Sequence, residues 1–301
     1  MIFHFGNLES LYFGIMLLIA IIFLLVVSYC DLKTSLIDIR AVIFFDCLAL
    51  ICHGLFAFLL HEYKYILFGI SSLAIFLFMG YLLYFFSKWG EGDAIVLGSI
   101  YFIYPFPYFV PLHFVIINKV IYYWYVLFFN IAIFGVFYSL MYAFIFSLRN
   151  REFYAHLKKE LSLKHAFLVF LLGSCLAFVM YFFVESSYYV IAFPLILFIS
   201  YFFYVFAKLS DEILFTKKIK LKDVKEGDTV LGTFKKANFE CKRLDAISKE
   251  EIDALIKAYG PNKVVEVKDM VRYIPSFLFG FIFTVLFGDA ILYYLSSLII
   301  V

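Results

Sequence analysis

The stretch SKWGEGDA, residues 87–94, separates two long apolar runs of the chain. Its two glycines and its aspartate, Asp93, therefore lie at a predicted membrane boundary. An ionisable residue at membrane depth is energetically unfavourable, so such a residue is a candidate for function. Glycine has no side chain and lets another molecule approach the backbone closely. The stretch thus predicts a site at Asp93, and the rest of the sequence has to supply a partner for it.

The composition excludes a soluble globular protein. Of the 301 residues, 65% are hydrophobic and only 16% are charged, and the mean hydropathy is +0.98. Soluble domains contain about 45–50% apolar residues, so lipid must solvate most of this chain. The five cysteines show neither metal-ligand spacing nor a disulfide framework, and we interpret them as small buried hydrophobes. The first apolar segment lacks a basic region and a small-residue cleavage site, which indicates a retained helix rather than a signal peptide.

Eight apolar stretches are long enough to span a membrane, which takes about 20 residues each. The fourth is the weakest, because Pro105, Pro107 and Pro111 interrupt its far end. The predicted spans are residues 11–30, 41–60, 65–86, 94–112, 121–146, 166–184, 188–207 and 274–297.

The basic residues orient these spans. If the N-terminus is outside, all of the 25 Lys and Arg residues except Lys64 and Lys119 lie on the inner side. This distribution follows the positive-inside rule, also when only the short loops are counted. We therefore expect a multi-pass protein of the cell membrane with both termini outside.

One segment, residues 209–272, is predicted to be soluble. Alternating residues over 220–234 predict a hairpin, residues 264–267 resemble a strand, and Ser248 and Glu251 form a capping box that opens a helix. We interpret this segment as a small α+β domain.

The fold class follows from these spans and this segment. The sequence predicts an all-α polytopic membrane protein of about eight transmembrane helices, with a small α+β cytosolic domain inserted before the last helix. We divide the chain into a membrane domain at 1–208, which contains Asp93, the cytosolic domain at 209–272 and the final transmembrane helix at 273–301.

Two aspartates lie at inner ends of predicted spans, because Asp31 ends the first span and Asp93 opens the fourth. If these helices are neighbours, the two carboxyl groups meet at the cytosolic face. Two close carboxyl groups share a proton, since both do not ionise easily. The ionised member can then take a proton from a water that attacks a peptide carbonyl, while the protonated member donates to the carbonyl oxygen. Such a pair is suited to peptide hydrolysis without a metal or a covalent intermediate.

The residues alone leave other roles open for these acids. Asp93 can be an N-cap or a first-turn charge of its helix, and Asp31 can simply mark a helix end. Intramembrane acids also serve ion and proton pathways. The chain contains no His-Glu-x-x-His zinc motif and no Gly-x-Ser-x-Gly elbow, and its histidines are scattered, so we expect no metal site and no cofactor.

Two segments carry a resemblance to a known family. The sequence DLKTSLID at 31–38 resembles the Asp-x-Lys-x-x-x-Ile/Val-Pro/Asp segment of the type IV prepilin peptidases, and GEGD at 90–93 resembles their Gly-x-Gly-Asp motif. The soluble insert before a last span is similar to the archaeal branch with the preflagellin peptidases. The resemblance implies a membrane aspartyl endopeptidase that cleaves short basic leaders from prepilin-like or archaellin precursors on the cytosolic side. It implies that Asp31 and Asp93 are the catalytic pair.

The same resemblance suggests roles for neighbouring residues. Gly90 and Gly92 would shape the loop that presents the second aspartate. The acidic side chains of Glu91 and Asp38 would meet basic leader residues, by charge complementarity. Ile95 departs from the family, which often carries Lys there. The implied partners are prepilin-like or archaellin precursors and the lipid bilayer, and no nucleic acid is expected.

Two other functions compete with this hypothesis. A presenilin-like intramembrane protease also uses Gly-x-Gly-Asp, but the chain contains no Pro-Ala-Leu motif in a later helix. A transporter or channel with acidic gate residues predicts charges near the middle of the bilayer. Asp46 and Asp289 lie inside apolar runs, where we expect polar contacts between helices.

Overall fold

The structure is a computed structural model whose chain divides into two compact units. The first comprises Met1–Ser139 with Arg272–Val301, and the second comprises Leu140–Val271. The second boundary, 271/272, thus lies within one residue of the predicted 272/273, whereas the first lies at 139/140 and not at 208/209. The described residues are 8–34, 37–86, 90–113, 119–148, 150–161, 163–181, 188–226, 228–232, 243–244, 247–268 and 272–300.

The first unit is built from helices. They are α1 (Leu8–Thr34), α2 (Ile39–Leu60), α3 (Lys64–Phe85), α4 (Glu91–Ile103), the start of α5 (Lys119–Ser147), α10 (Ile274–Phe287) and α11 (Ala290–Ile300). In the part of the whole chain that the structure describes, four helices, α1, α2, α3 and α5, are long and apolar enough to cross a membrane. The bent pair Arg151–Glu160 and Lys164–Phe178 can add a fifth. Among the described residues, helices of this kind are thus fewer than the eight spans that the sequence predicts.

Small residues bring α3 and α4 into close contact. The backbone of Gly80 faces that of Ala94, and a Cβ atom at Gly80 would lie 2.7 Å from the Ala94 Cα. Farther along the two helices, the rings of Phe76 and Tyr101 stack with centroids 3.4 Å apart. Glycine at the contact permits an approach that any larger side chain would prevent. This packing fixes the helix that begins with the Gly-Glu-Gly-Asp motif.

The predicted fourth span, residues 94–112, is not one helix, because α4 ends at Ile103. Prolines 105, 107 and 111 cannot donate backbone hydrogen bonds and therefore end the helix. The carbonyl groups at this end receive hydrogen bonds from buried side chains of α2 and α5, which an unwound segment within apolar surroundings requires. These bonds join His53 Nε2 to Phe102 O (2.8 Å), Tyr123 Oη to Tyr104 O (3.1 Å) and Trp124 Nε1 to Pro105 O (2.9 Å).

The predicted last span is also divided. Gly288 has a φ of 59° and separates α10 from α11. A Cβ atom at this position would overlap the carbonyl oxygen of Pro111, so glycine is required for both the conformation and the contact. Behind the break, the Asn130 side-chain amide donates to Thr284 Oγ1 and to the Gly288 carbonyl, each at 2.9 Å.

The second unit combines helices with a sheet. After the end of α5 follow α6 (Arg151–Glu160), α7 (Leu163–Tyr181), α8 (Tyr188–Leu209) and one π-helical turn (Ser210–Leu214). Phe153 of α6 is fully buried against α5 and α8. The sheet has the order β1-β4-β2-β3 and is antiparallel throughout, and α9 (Lys249–Tyr259) covers it. Its strands are β1 (Thr216–Lys220), β2 (Thr229–Leu231), β3 (Arg243–Leu244) and β4 (Val264–Lys268).

The structure confirms part of the predicted α+β domain. Ser248 and Glu251 form the predicted capping box at the start of α9, and β4 occurs where a strand was predicted. The predicted hairpin over 220–234 is wrong, because β4 lies between β1 and β2. Residues 221–223 form a single 3-10 turn at the start of that segment.

Candidate active site

Asp31 lies in the last turn of α1 and exposes only 8% of its surface. The backbone N–H of Ile274, the first residue of α10, donates to its Oδ2 at 3.1 Å. This is one of the donors that a helix leaves without an internal partner at its N-terminus, where the helix dipole favours negative charge. Arg272 adds a positive charge that acts on the same carboxylate. The start of α10 therefore forms a polar surround for Asp31.

Asp93 is the third residue of α4 and lies beside the other acid. The backbone N–H of Gly90, the N-cap residue, donates to Asp93 Oδ2 at 2.9 Å. Burial and, to a smaller extent, the charge of Asp31 raise the pKa of Asp93 to about 7, against the effect of the Gly90 N–H. Asp93 is thus a first-turn acid of its helix, one of the roles that the sequence left open, and its raised pKa suits proton transfer near neutral pH.

The two motif segments touch each other. Gly92 lies against the side chain of Ile37, and a Cβ atom at position 92 would overlap it. Helices α1, α4 and α10 are in mutual contact, and the charge of Asp31 acts on Asp93. The structure therefore brings the two acids close enough for their charges to interact, which the sequence left open. Residues 87–89 of the opening motif lie outside the described residues.

Asp38 and Glu91 occupy the border of this site. Asp38 is exposed and is the N-cap of α2, since its Oδ1 accepts the backbone N–H of Arg40 at 3.0 Å. Glu91 is exposed in the first turn of α4. Ile95, which replaces the lysine common in the resembled family, packs partly buried against the core of the first unit. A contact of Asp38 or Glu91 with a basic leader stays a prediction.

The approach to α10 supplies residues that sequence reasoning missed. Burial raises the pKa of Tyr273 to about 12, and the charge of Asp93 contributes to this rise. The Tyr273 hydroxyl packs against Gly135 of α5, and a Cβ atom at position 135 would overlap this hydroxyl. Arg272 is the last residue of the predicted soluble segment and Tyr273 follows it, so the sequence placed Arg272 within that domain and not beside the acids. Charge and aromatic character alone do not distinguish them from their neighbours.

The acids inside the apolar runs make contacts between structural elements, as the sequence predicts. Asp46 Oδ2 accepts the hydroxyl of Ser99 at 2.9 Å. Asp289 is fully buried and accepts from the backbone and ring of His113 and from the hydroxyl of Tyr122. Among the described residues, no three or more His, Cys, Asp and Glu side chains are grouped to hold a metal ion.

Comparison with known proteins gives no relative for this arrangement. No family model, no curated protein and no solved structure matches the chain. The site must therefore be interpreted from its own geometry. That geometry is a pair of carboxyl groups, one at a helix end and one at a helix start, held by backbone N–H groups beside an arginine and a tyrosine.

Proposed function

We propose that the chain is an aspartyl endopeptidase of the cell membrane that cleaves short basic leaders from prepilin-like or archaellin precursors. The observation that carries the proposal is the meeting of Asp31 and Asp93, which lie in two separate motifs of the sequence. Acid–base hydrolysis of a peptide needs one ionised and one protonated group at the same place. The pKa of Asp93, which burial raises to about 7, supports a protonated member of the pair near neutral pH.

The membrane arrangement belongs to the same proposal. We place eight passes in the membrane with both termini outside and the acids at the cytosolic face. Large apolar side chains of α1, α2, α3 and α5 point outward, which suits lipid rather than water. The end of α1 and the starts of α4 and α10 meet around the acids, and the basic residues of the predicted inner loops favour the cytosolic side. The orientation can be tested with a reporter enzyme that is active only outside the cytosol. Fused to the C-terminus, this reporter should be active.

Leader cleavage tests the function directly. Membranes that contain the full-length wild type, Asp31→Asn or Asp93→Asn are mixed with a prepilin-like precursor and with an archaellin precursor, and the change in size is followed. We expect cleavage by the wild type and none by either variant. Asp253→Asn, at an exposed position of α9, is the matched control and should cleave normally. Normal cleavage by both site variants refutes the proposed pair.

One observation favours a transporter or channel instead. Asp46 lies within α2, and its buried Oδ1 has no hydrogen-bond partner in the described part of the chain. Intramembrane acids of this kind serve ion or proton pathways in other proteins. Purified protein in liposomes should then carry protons or cations, and Asp46→Asn should abolish the flux. Flux that depends on Asp46, without cleavage of any precursor, would replace the protease proposal.

A further inference from the structure

The second unit contains an apolar groove that the proposed function does not use. Its volume is about 380 Å³, within the range of about 300–1,000 Å³ that small-molecule sites occupy. It lies between the last turns of α5, the helix α6 and the end of α8. We propose that this groove holds one acyl chain of a phospholipid whose anionic headgroup binds to Arg151 and Lys158 of α6. The proposal requires that the protein lies in a membrane, but it does not depend on the proposed peptidase activity.

The walls of the groove suit a hydrocarbon chain. Large apolar side chains of all three helices line it, among them Met141, Phe144, Leu157, Phe203 and Phe206. The hydroxyl of Ser147, which also lines the groove, already donates to the Phe144 carbonyl oxygen at 2.8 Å. Tyr154 carries the other polar group of the lining residues. An extended peptide would need partners for its backbone groups in such a place, whereas a hydrocarbon chain needs none.

The groove lies where lipid is expected to meet water. The predicted fifth and seventh spans end at residues 146 and 207, and the lining residues of α5 and α8 lie within about two turns of these ends. Helix α6 begins four residues after α5 ends, buries Phe153 and exposes charged residues on its other faces. Amphipathic helices of this kind lie in the membrane interface, and tyrosines such as Tyr154 are enriched at the same level. The headgroup of a lipid in the groove would therefore lie beside α6.

The charges of α6 are distributed unevenly around the groove. Arg151 lies three residues before Tyr154 and Lys158 four residues after it, so all three share the helix face beside the groove. Both basic side chains are exposed. At 3.6 residues per turn, Glu152 and Glu160 lie about 160° and 120° around the helix from Tyr154. The face of α6 beside the groove therefore carries two positive charges, and the acidic residues lie on the other side.

This charge distribution decides between two candidate occupants. The apolar helix of a prepilin-like precursor follows a basic leader, which Arg151 and Lys158 would repel. An anionic lipid has the complementary charge. Basic side chains at an anionic membrane surface raise affinity roughly fivefold each. Two of them should therefore give about a 25-fold preference for an anionic lipid over a zwitterionic lipid with the same chains.

Tryptophan quenching tests both the place and the preference. Full-length Tyr154→Trp, with the wild-type signal subtracted, is placed at low salt in vesicles of equal amounts of phosphatidylglycerol and phosphatidylcholine. One lipid at a time carries brominated chains, which quench a tryptophan that they contact. We expect a relative binding constant of about 25 in favour of phosphatidylglycerol. Phe203→Trp, on the α8 wall, should give the same preference, whereas Tyr125→Trp, at an exposed position of α5 outside the groove, should be quenched equally by both lipids.

Charge removal tests the headgroup contacts. Arg151→Gln or Lys158→Gln, added to the reporter, should each lower the preference to about fivefold, and the double variant should abolish it. Lys159→Gln removes an exposed charge from another face of α6 and, as the matched control, should keep the preference.

Three results would overturn the proposal. Equal quenching of the groove reporters by both lipids would show that any surrounding lipid fills the groove. No quenching of these reporters, while Tyr125→Trp is quenched, would show that something other than lipid covers it. Loss of the preference in excess inorganic phosphate would indicate a site for free phosphate instead of a lipid. None of these measurements uses leader cleavage, so their outcome is separate from that of the proposed function.

Discussion

Replacement of Gly80 by alanine tests the helix contact that positions the candidate site. Gly80 lies on α3, and an added Cβ atom would lie 2.7 Å from the Cα and 3.0 Å from the carbonyl oxygen of Ala94. Both neighbouring atoms are backbone, so no side-chain rotation can relieve the contact. Because Ala94 follows Asp93 directly, the separation of α3 from α4 also displaces the acid.

The expected magnitude follows from this geometry. Carbon atoms in contact are normally about 3.5–4.0 Å apart, so the two helices must separate by roughly 1 Å. Overpacking of this kind costs about 1–3 kcal/mol. Alanine recovers about 0.5–1 kcal/mol relative to glycine within a helix. We therefore expect the free energy of unfolding to fall by about 1–2 kcal/mol, which lowers the melting temperature by about 2–8 °C.

Thermal unfolding of the detergent-solubilised protein measures this loss, and leader cleavage measures the effect on the site. Gly54→Ala is the matched control on α2, because a Cβ atom there meets nothing within 4 Å. The control should melt at the wild-type temperature or slightly above it. If Gly80→Ala melts as high as Gly54→Ala, then the close approach of α3 and α4 is not the contact that holds α4 in place.

Three further predictions concern other positions. The stability of the wild type relative to Asp93→Asn should fall between about pH 4 and about pH 7. A carboxyl group whose pKa is raised to about 7 in the folded state favours that state only while it is protonated. Melting temperatures of both proteins across this pH range test the prediction. Gly288→Ala should lower the melting temperature much more than Gly260→Ala. Both glycines have a positive φ, but a Cβ atom at position 288 would overlap the Pro111 carbonyl oxygen, while one at position 260 meets nothing within 4 Å. Equal decreases in melting temperature would contradict this prediction. Ser248→Ala should destabilise α9 by about 1 kcal/mol, seen as faster amide exchange in that helix, and unchanged exchange would show that the cap contributes nothing.

Local signals made part of the fold predictable. Long apolar runs predicted α1, α2, α3 and α5, because each forms all its backbone hydrogen bonds within itself. The capping box of Ser248 and Glu251 is likewise complete within four residues, and its helix was placed correctly. The shared position of Asp31 and Asp93 at helix ends on one side made them candidates for a pair, but it did not show that their helices are neighbours. Their catalytic role stays a prediction.

The parts that depend on distant contacts were not predictable. The Ile274 N–H reaches Asp31 across 243 positions of the chain, and no local pattern marks that pair. The insertion of β4 between β1 and β2 likewise depends on pairing between distant segments. Prolines gave a partial signal for the fourth span, but the side chains that accommodate its unwound end come from other helices. Gly288 gave no signal for the break between α10 and α11, since a glycine in an apolar run is compatible with an unbroken helix.

Comparison of the buried acids explains why Asp289 is a structural residue and the pair is a candidate for chemistry. Both oxygens of Asp289 accept hydrogen bonds, and none of its surface is exposed. Its carboxyl group therefore stabilises the fold and is not accessible to a substrate. For Asp31 and Asp93, the hydrogen bonds found in the described chain involve Oδ2 alone, and in each the donor is a backbone N–H. A backbone donor fixes the carboxyl group without competing for its second oxygen. Among the described residues, each acid of the pair thus has one oxygen without a protein hydrogen bond, and acid–base hydrolysis needs such an oxygen for a water or a peptide carbonyl.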